Sequence, residues 1–149
     1  MSIAERSSSA ISVSSLKRGD ILVWKNYKFS DGTQKTKRVL LLSDCIDGKA
    51  IIVVLPTSQL QYYVNDLNQT AMMDTICFLA NESASFEKDT VIDLKNIDIL
   101  RVSNVEAVSH RGGVFQRDSL DEKSMAKILD VVRIAKTLTP RLKKYILDS

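Results

Sequence analysis

The stretch LKRGDILVWKNYKFSDGTQKTKRVLLLSDCIDGKAIIVVLP, from Leu16 to Pro56, decides the fold of this 149-residue chain. Its apolar, β-branched and aromatic side chains fall in three short runs: Ile21-Leu22-Val23-Trp24, Val39-Leu40-Leu41-Leu42 and Ile51-Ile52-Val53-Val54. A polar loop over residues 30–37 separates the first two runs, and the turn signal Asp47-Gly48 precedes the third. Pro56 ends the third run because proline cannot donate to a strand ladder. The stretch therefore predicts three consecutive antiparallel strands.

The rest of the chain predicts further strands and then helices. Residues 75–79, 90–94 and 97–102 are strand candidates. Beyond Gln116 the pattern changes: Ser119 and Glu122 have capping-box spacing, and apolar residues recur at helical intervals, which predicts a helix over about 120–138. A short helical tail over 139–149 follows, with Thr139 as its cap. The predicted fold class is mainly β with a C-terminal helix (α+β), a small barrel or tightly curled sheet with the helix packed against it.

Length and composition predict a single domain over residues 16–149, with its barrel ending near residue 117. A serine-rich stretch, residues 1–15, is predicted to be a flexible N-terminal arm. The longest apolar run, residues 50–56, is far shorter than the roughly 20 residues of a membrane-spanning helix. The first residues also lack the apolar block of a secretory signal. We therefore expect a cytoplasmic protein with no membrane partner.

The residue inventory argues against metal chemistry, and the charge distribution is uneven. Two cysteines, Cys45 and Cys77, and the single His110 form neither a zinc motif nor a disulfide framework, so we expect no metal and no cofactor. The net charge is only +3. Residues 17–49 carry a net +4 and residues 50–100 a net −5, which leaves a basic block compatible with a polyanion such as RNA.

Four stretches occur in the order in which PemK/MazF-type toxins have similar ones. They are Leu16-Lys17-Arg18-Gly19-Asp20-Ile21, Lys37-Arg38-Val39-Leu40-Leu41-Leu42-Ser43, Ile52-Val53-Val54-Leu55-Pro56-Thr57-Ser58 and Phe86-Glu87-Lys88-Asp89-Thr90-Val91-Ile92. The first resembles the opening of the family's first strand, the second its Arg-Pro-led second strand, and the third its third strand. The resemblance extends over about residues 16–138, including the C-terminal helix.

This resemblance implies a small SH3-like barrel that dimerises and cleaves single-stranded RNA without a metal, as the toxin of a toxin–antitoxin pair. The implied partners are single-stranded RNA, a cognate antitoxin and a second copy of the chain. In the family an arginine before the second strand and a threonine or serine after the third lie at the scissile phosphate. The carried-over catalytic candidates here are Lys37, Arg38, Thr57 and Ser58. We assign RNA contacts to Lys17, Lys25, Lys28, Lys35 and Gln59.

Two alignments compete for the family's arginine. An ungapped alignment on Ser43 places Lys37 there and Arg38 at the proline, whereas a shift of one residue restores Arg38. Only arginine offers a planar fork to two phosphoryl oxygens, since lysine is a point charge. The alternatives to a toxin nuclease are a catalytically degenerate RNA- or protein-binding module of the same fold and a gyrase-targeting toxin-like protein. Thr57 also has a purely structural alternative as a strand-end hydroxyl.

Overall fold

The structure of the chain is a computed structural model that describes residues 15–28, 31–58, 74–80 and 86–149. It is a mixed α+β fold built mainly on antiparallel sheet, with three helices in the described ranges. The elements are β1 (Asp20–Lys28), β2 (Gln34–Leu41), β3 (Ala50–Val54), β4 (Thr75–Phe78), β5 (Thr90–Asp93), β6 (Ile97–Arg101), α1 (Val102–His110), β7 (Val114–Ser119), α2 (Glu122–Ile134) and α3 (Pro140–Leu147). A 3-10 turn, Leu94–Asn96, joins β5 to β6.

Five strands form the main sheet in the order β6-β3-β2-β1-β7, and β4 pairs with β5 in a second, small sheet. Strands β1, β2 and β3 are consecutive antiparallel neighbours, which confirms the predicted meander. Their apolar runs are buried on both faces of the sheet, because helices cover each face. Alternate residues therefore enter two separate cores.

The two cores define two faces of the sheet. One face, here called the α2–α3 face, includes Ile21, Leu40 and Val54 and packs against α2, α3 and the small sheet. The opposite face, here called the α1 face, includes Leu22, Trp24, Val39 and Val53 and packs against Val105 of α1. Because the side-chain period of a strand is two residues, the face of any residue on β1 or β2 follows from its neighbours.

A hydrogen bond between strands that are not neighbours shows that the main sheet is curled. The Tyr27 hydroxyl on β1 donates to Asp98 Oδ2 on β6 at 2.8 Å. In the sheet order β1 and β6 are three strand spacings apart, each about 4.8 Å. A flat sheet would hold these groups too far apart to bond. Within the described ranges the two edge strands, β6 and β7, do not pair with each other, so the sheet is curled but open.

The C-terminal helices close the α2–α3 face. Met125, Ile128 and Val132 on α2 are buried, and Ile146 on α3 is fully buried, as the predicted apolar stripe requires. The Arg18 guanidinium donates to the carbonyls of Ile146 and Leu147 at 2.7 and 3.2 Å, which satisfies acceptors at the end of α3. The predicted cap of α3 is confirmed, since the Leu142 amide donates to Thr139 Oγ1.

Several sequence-based boundaries are wrong. The residues predicted as a loop over 30–37 include the first half of β2, because an exposed polar strand carries no apolar signal. The helix predicted to begin with a Ser119–Glu122 capping box is instead capped by Asp121, whose carboxylate accepts from the Ser124 amide, and it ends at Ile134 rather than near residue 138. Ser119 lies in β7 and donates to Asp20.

Two elements, α1 and β7, were not predicted at all. Five of the six side chains of β7 are exposed, which removes the alternation that identifies a strand. The predicted N-terminal arm lies outside the described residues, apart from Ser15. None of the helices in the described ranges is long and apolar enough to span a bilayer, and the longest has 13 residues.

Candidate functional site

A pocket of about 370 Å³ opens where β2 begins and β3 has ended. All four sequence-predicted catalytic candidates line it. The full lining is Thr36, Lys37, Arg38, Pro56, Thr57, Ser58, Phe86, Glu87, Lys88 and Thr90. We call this the β2–β3 pocket. It brings together three described segments of the chain, residues 36–38, 56–58 and 86–90, so the tertiary fold creates it.

Strand register explains how the two halves of the pocket meet. Leu40 pairs with Val54 and Leu41 with Val53 in antiparallel register. Beyond Val54 the chain leaves β2, and Pro56, Thr57 and Ser58 line the pocket opposite the segment that carries Arg38. Thr57 is held beyond that point by a pair of backbone hydrogen bonds with Val91, at 3.0 and 2.8 Å. The positions of the arginine and the threonine are therefore set by main-chain pairing, which tolerates little movement.

The register also separates Arg38 from Lys37. Residues paired across an antiparallel ladder share a face. Arg38 pairs with Val23, and its second neighbour along β2, Leu40, lies on the α2–α3 face. Phe86 of the pocket lining packs into that same core. Arg38 is half-buried and lines the pocket.

Lys37 belongs to the opposite face. It pairs with Trp24, which packs in the core of the α1 face, and its second neighbour Val39 lies in that core too. Lys37 also lines the β2–β3 pocket, but strand alternation places it on the face opposite to that of Phe86. Strand alternation therefore places Arg38, and not Lys37, on the face that carries Phe86, which is the observation in favour of the one-residue shift.

The chemistry of the pocket lining suits an anion with neighbouring apolar groups. The described residues supply the cations of Lys37, Arg38 and Lys88 against the single carboxylate of Glu87. Hydroxyls of Thr57 and Ser58 stand beside them, and Ser58 is exposed. Guanidinium and hydroxyl donors are the groups that meet phosphoryl oxygens. Within the described ranges no group of three His, Cys, Asp or Glu side chains could hold a metal ion.

The predicted RNA-contacting residues are spread more widely. Lys17 lies in the turn before β1, and its amide donates to the Asp20 carboxylate. Lys25 on β1 and Lys35 on β2 are exposed and do not line the β2–β3 pocket. The side chain of Lys28, together with Gln59, lies outside the described residues. The structure thus gathers the catalytic candidates but not the basic block as a whole.

The opening motif has a structural explanation. Gly19 has a φ of +97°, a left-handed conformation that side chains disfavour, and its carbonyl accepts from the Leu120 amide. Asp20 is buried and joins the turn at Lys17 to Ser119 at the end of β7. The Gly-Asp pair therefore closes the sheet against β7 and contributes no side chain to the β2–β3 pocket.

Comparison with known proteins adds no assignment to this geometry. No protein-family model and no curated protein matches the chain.

Sequence reasoning missed part of the pocket lining. Thr36, Lys88 and Thr90 were not singled out as site residues, although Lys88 and Thr90 lie in the last of the four stretches quoted above. Thr36 falls in the predicted polar loop over 30–37, but the structure places it in β2. Its period-two spacing from Arg38 and Leu40 is the signal that would have placed it on the same face as the arginine.

Proposed function

We propose that the chain is a toxin-like endoribonuclease of the PemK/MazF type that cleaves single-stranded RNA without a metal. One observation carries the proposal: the β2–β3 pocket unites the basic pair Lys37 and Arg38 with the hydroxyls of Thr57 and Ser58. These are the residue types that the family resemblance requires at a scissile phosphate. The curled antiparallel sheet with C-terminal helices is compatible with the SH3-like barrel that belongs to this proposal.

The proposed reaction uses the RNA's own 2′-hydroxyl. Its oxygen attacks the adjacent phosphorus and loses its proton, the bond from phosphorus to the 5′-oxygen breaks, and that oxygen takes up a proton. The products are a cyclic phosphate and a free 5′-hydroxyl. Arg38 stabilises the charge that builds on the non-bridging oxygens, since a planar fork can meet two of them. The Thr57 hydroxyl positions the phosphate or donates a proton.

The remaining parts of the proposal concern the setting of the enzyme. It acts in the cytoplasm as a homodimer, and a cognate antitoxin protein restrains it. A small acidic protein encoded in the neighbouring reading frame would support this partnership. The net positive charge of residues 17–49 would attract an acidic antitoxin for the same electrostatic reason that it would attract RNA.

The decisive experiment is incubation of the purified protein with a long single-stranded RNA in EDTA, followed by mapping of the ends. We expect cleavage to persist, because no metal takes part in the proposed step. Complete dependence on added magnesium would contradict the mechanism. If the parent protein binds RNA but never cuts it, the degenerate binding module replaces the nuclease.

Substitutions in the β2–β3 pocket identify the acting residues. We expect Arg38→Ala to lower the cleavage rate about 100- to 1,000-fold while RNA binding is largely retained, as for other preorganised charge-stabilising donors. Thr57→Ala should also lose rate, and Lys37→Ala should cost much less. Lys123→Ala, which removes an exposed lysine on α2, is the charge-matched control and should cleave like the parent.

The single-turnover rate and the affinity for a non-cleavable oligonucleotide are measured together for each variant. A larger loss for Lys37→Ala than for Arg38→Ala would restore the ungapped alignment. The site would lie elsewhere if all three variants cleaved RNA like the parent, that is, Arg38→Ala, Lys37→Ala and Thr57→Ala. Circular dichroism checks that each variant is folded.

A further inference from the structure

An exposed aromatic ring lies on the same face of the sheet as Arg38. Phe115 on the edge strand β7 is 37% exposed, which is unusual for a phenylalanine. It pairs with Val23 of β1, and Val23 pairs in turn with Arg38 of β2. Paired residues share a face, so Phe115, Val23 and Arg38 form one cross-strand row.

The row continues into the β2–β3 pocket. Arg38, at the end of the row, lines that pocket together with Pro56. Phe115 is two strand spacings from Arg38, about 10 Å between their backbones. A nucleotide that adjoins the phosphate at Arg38 spans that separation. Val23 between them is buried and adds no charge to the row.

A cation accompanies the ring. Lys25 Nζ lies 5.9 Å from the centroid of the Phe115 ring, within the range of a cation–π contact. The Lys25 amide donates to the Gly113 carbonyl at 2.7 Å, which ties this part of β1 to the start of β7. An aromatic face with a lysine beside it is the pairing that single-strand binders use, the ring for a base and the cation for the backbone.

We propose that Phe115 is a base-stacking platform for single-stranded RNA, and that it orients the nucleotide next to the phosphate held at Arg38. The inference rests on the proposed function for its substrate. It adds a subsite that the family resemblance did not supply. Stacking on a phenylalanine is tolerant of base identity, because every base offers a π-face. Phe115 is therefore a positioning residue and takes no proton.

The test uses a 5′-labelled 2′-O-methyl RNA oligonucleotide, which the protein cannot cleave because it has no free 2′-hydroxyl. Fluorescence anisotropy compares the parent with Phe115→Ala, Phe115→Leu and Phe115→Trp. Removal of a stacking ring typically weakens single-strand binding about 5- to 150-fold per base. We expect that loss for alanine, little recovery with leucine, and parent-like or tighter binding with tryptophan. Ile134→Ala, on an exposed α2 residue, is the matched apolar control and should bind like the parent.

A base-free comparison separates stacking from contacts to the backbone. On an oligonucleotide of the same length that consists only of abasic residues, the parent and Phe115→Ala should bind equally. The salt dependence of Phe115→Ala should match that of the parent, because no phosphate contact is lost. Lys25→Ala, in contrast, should lower the slope of log affinity against log salt by about 0.7.

Three results would overturn the platform. One is parent-like affinity of Phe115→Ala, another is full recovery with leucine, and the third is an affinity loss that follows a changed oligomeric state in analytical ultracentrifugation. The last result would identify β7 as an interface between copies. Failure of the platform is distinguishable from failure of the nuclease proposal. A parent that cleaves RNA with Phe115 irrelevant refutes only the platform, and a parent that binds through Phe115 without cleaving refutes only the nuclease.

Discussion

Single side chains hold distant segments of this protein together, and Asp74 is the clearest case. Asp74 precedes β4 and is only 8% exposed. Its carboxylate accepts hydrogen bonds from the Lys136 and Thr137 amides and from the Thr137 hydroxyl, at 3.1, 2.9 and 2.7 Å. Burial raises the pKa of Asp74, but these hydrogen bonds outweigh it and hold the pKa below its ordinary value.

The lowered pKa predicts acid sensitivity. A carboxylate with a depressed pKa contributes stability above its unfolded pKa of about 3.9, and that contribution is lost as the pH falls through the folded value. Asp74→Ala should lower the free energy of unfolding by about 2 to 3 kcal/mol at pH 7. Asp74→Asn is the matched control, because asparagine tolerates the left-handed φ of +59° at this position.

Guanidinium denaturation of the parent, Asp74→Ala and Asp74→Asn at a series of pH values measures the effect. Below pH 4 the stability of the parent should approach that of Asp74→Asn, whose own stability should change less with pH because it has no carboxylate at this position. An acid dependence shared by all three proteins would show that other carboxylates control it.

At the scale of the elements, a hydrogen bond from the Tyr27 hydroxyl on β1 to Asp98 on β6 links two strands that are not neighbours in the sheet. Tyr27 is buried against Trp24, whose ring centroid lies 5.5 Å away in an edge-to-face arrangement. Burial and the hydrogen bond to Asp98 both raise the pKa of the Tyr27 phenol above its ordinary value, so the hydroxyl remains a donor through neutral and moderately alkaline pH.

Tyr27→Phe retains the ring packing and removes only the donor. We expect a loss of about 1 kcal/mol in the free energy of unfolding, because the exposed Asp98 carboxylate regains water. Asp98→Asn keeps an acceptor oxygen and should lose less. Thermal and denaturant unfolding measure both variants, and a Tyr27→Phe protein as stable as the parent would show that packing alone sets the curl.

At the scale of the whole molecule, the uneven charge distribution predicts salt-sensitive RNA binding. Each phosphate neutralised on a single strand contributes about 0.7 to the slope of log affinity against log salt. The exposed lysines on β1 and β2, with the β2–β3 pocket, would engage several phosphates. Anisotropy titrations across a range of salt concentrations give the slope. A flat dependence would leave the basic block, residues 17–49, as a solvated surface.

Consecutive residues were enough to predict the elements whose side chains are regularly buried. Strand and helix periodicity is visible in residues close together in the sequence. It was therefore enough to predict β1, β2 and β3 from their apolar runs and α2 from its apolar stripe. The helix cap at Thr139 was also predictable, because it depends only on residues within one turn of α3. The family resemblance also pointed to four of the ten described residues that line the β2–β3 pocket.

Tertiary structure decided what depends on pairing across the sheet. The opposite faces of Lys37 and Arg38 follow from the strand register, because adjacent residues of one strand face opposite cores. Phe115 could not be placed on a strand from the sequence, because the exposed side chains of β7 lack the alternation that identifies a strand. Its place in a row with Arg38 follows from hydrogen bonds between segments far apart in the chain, which local sequence does not encode.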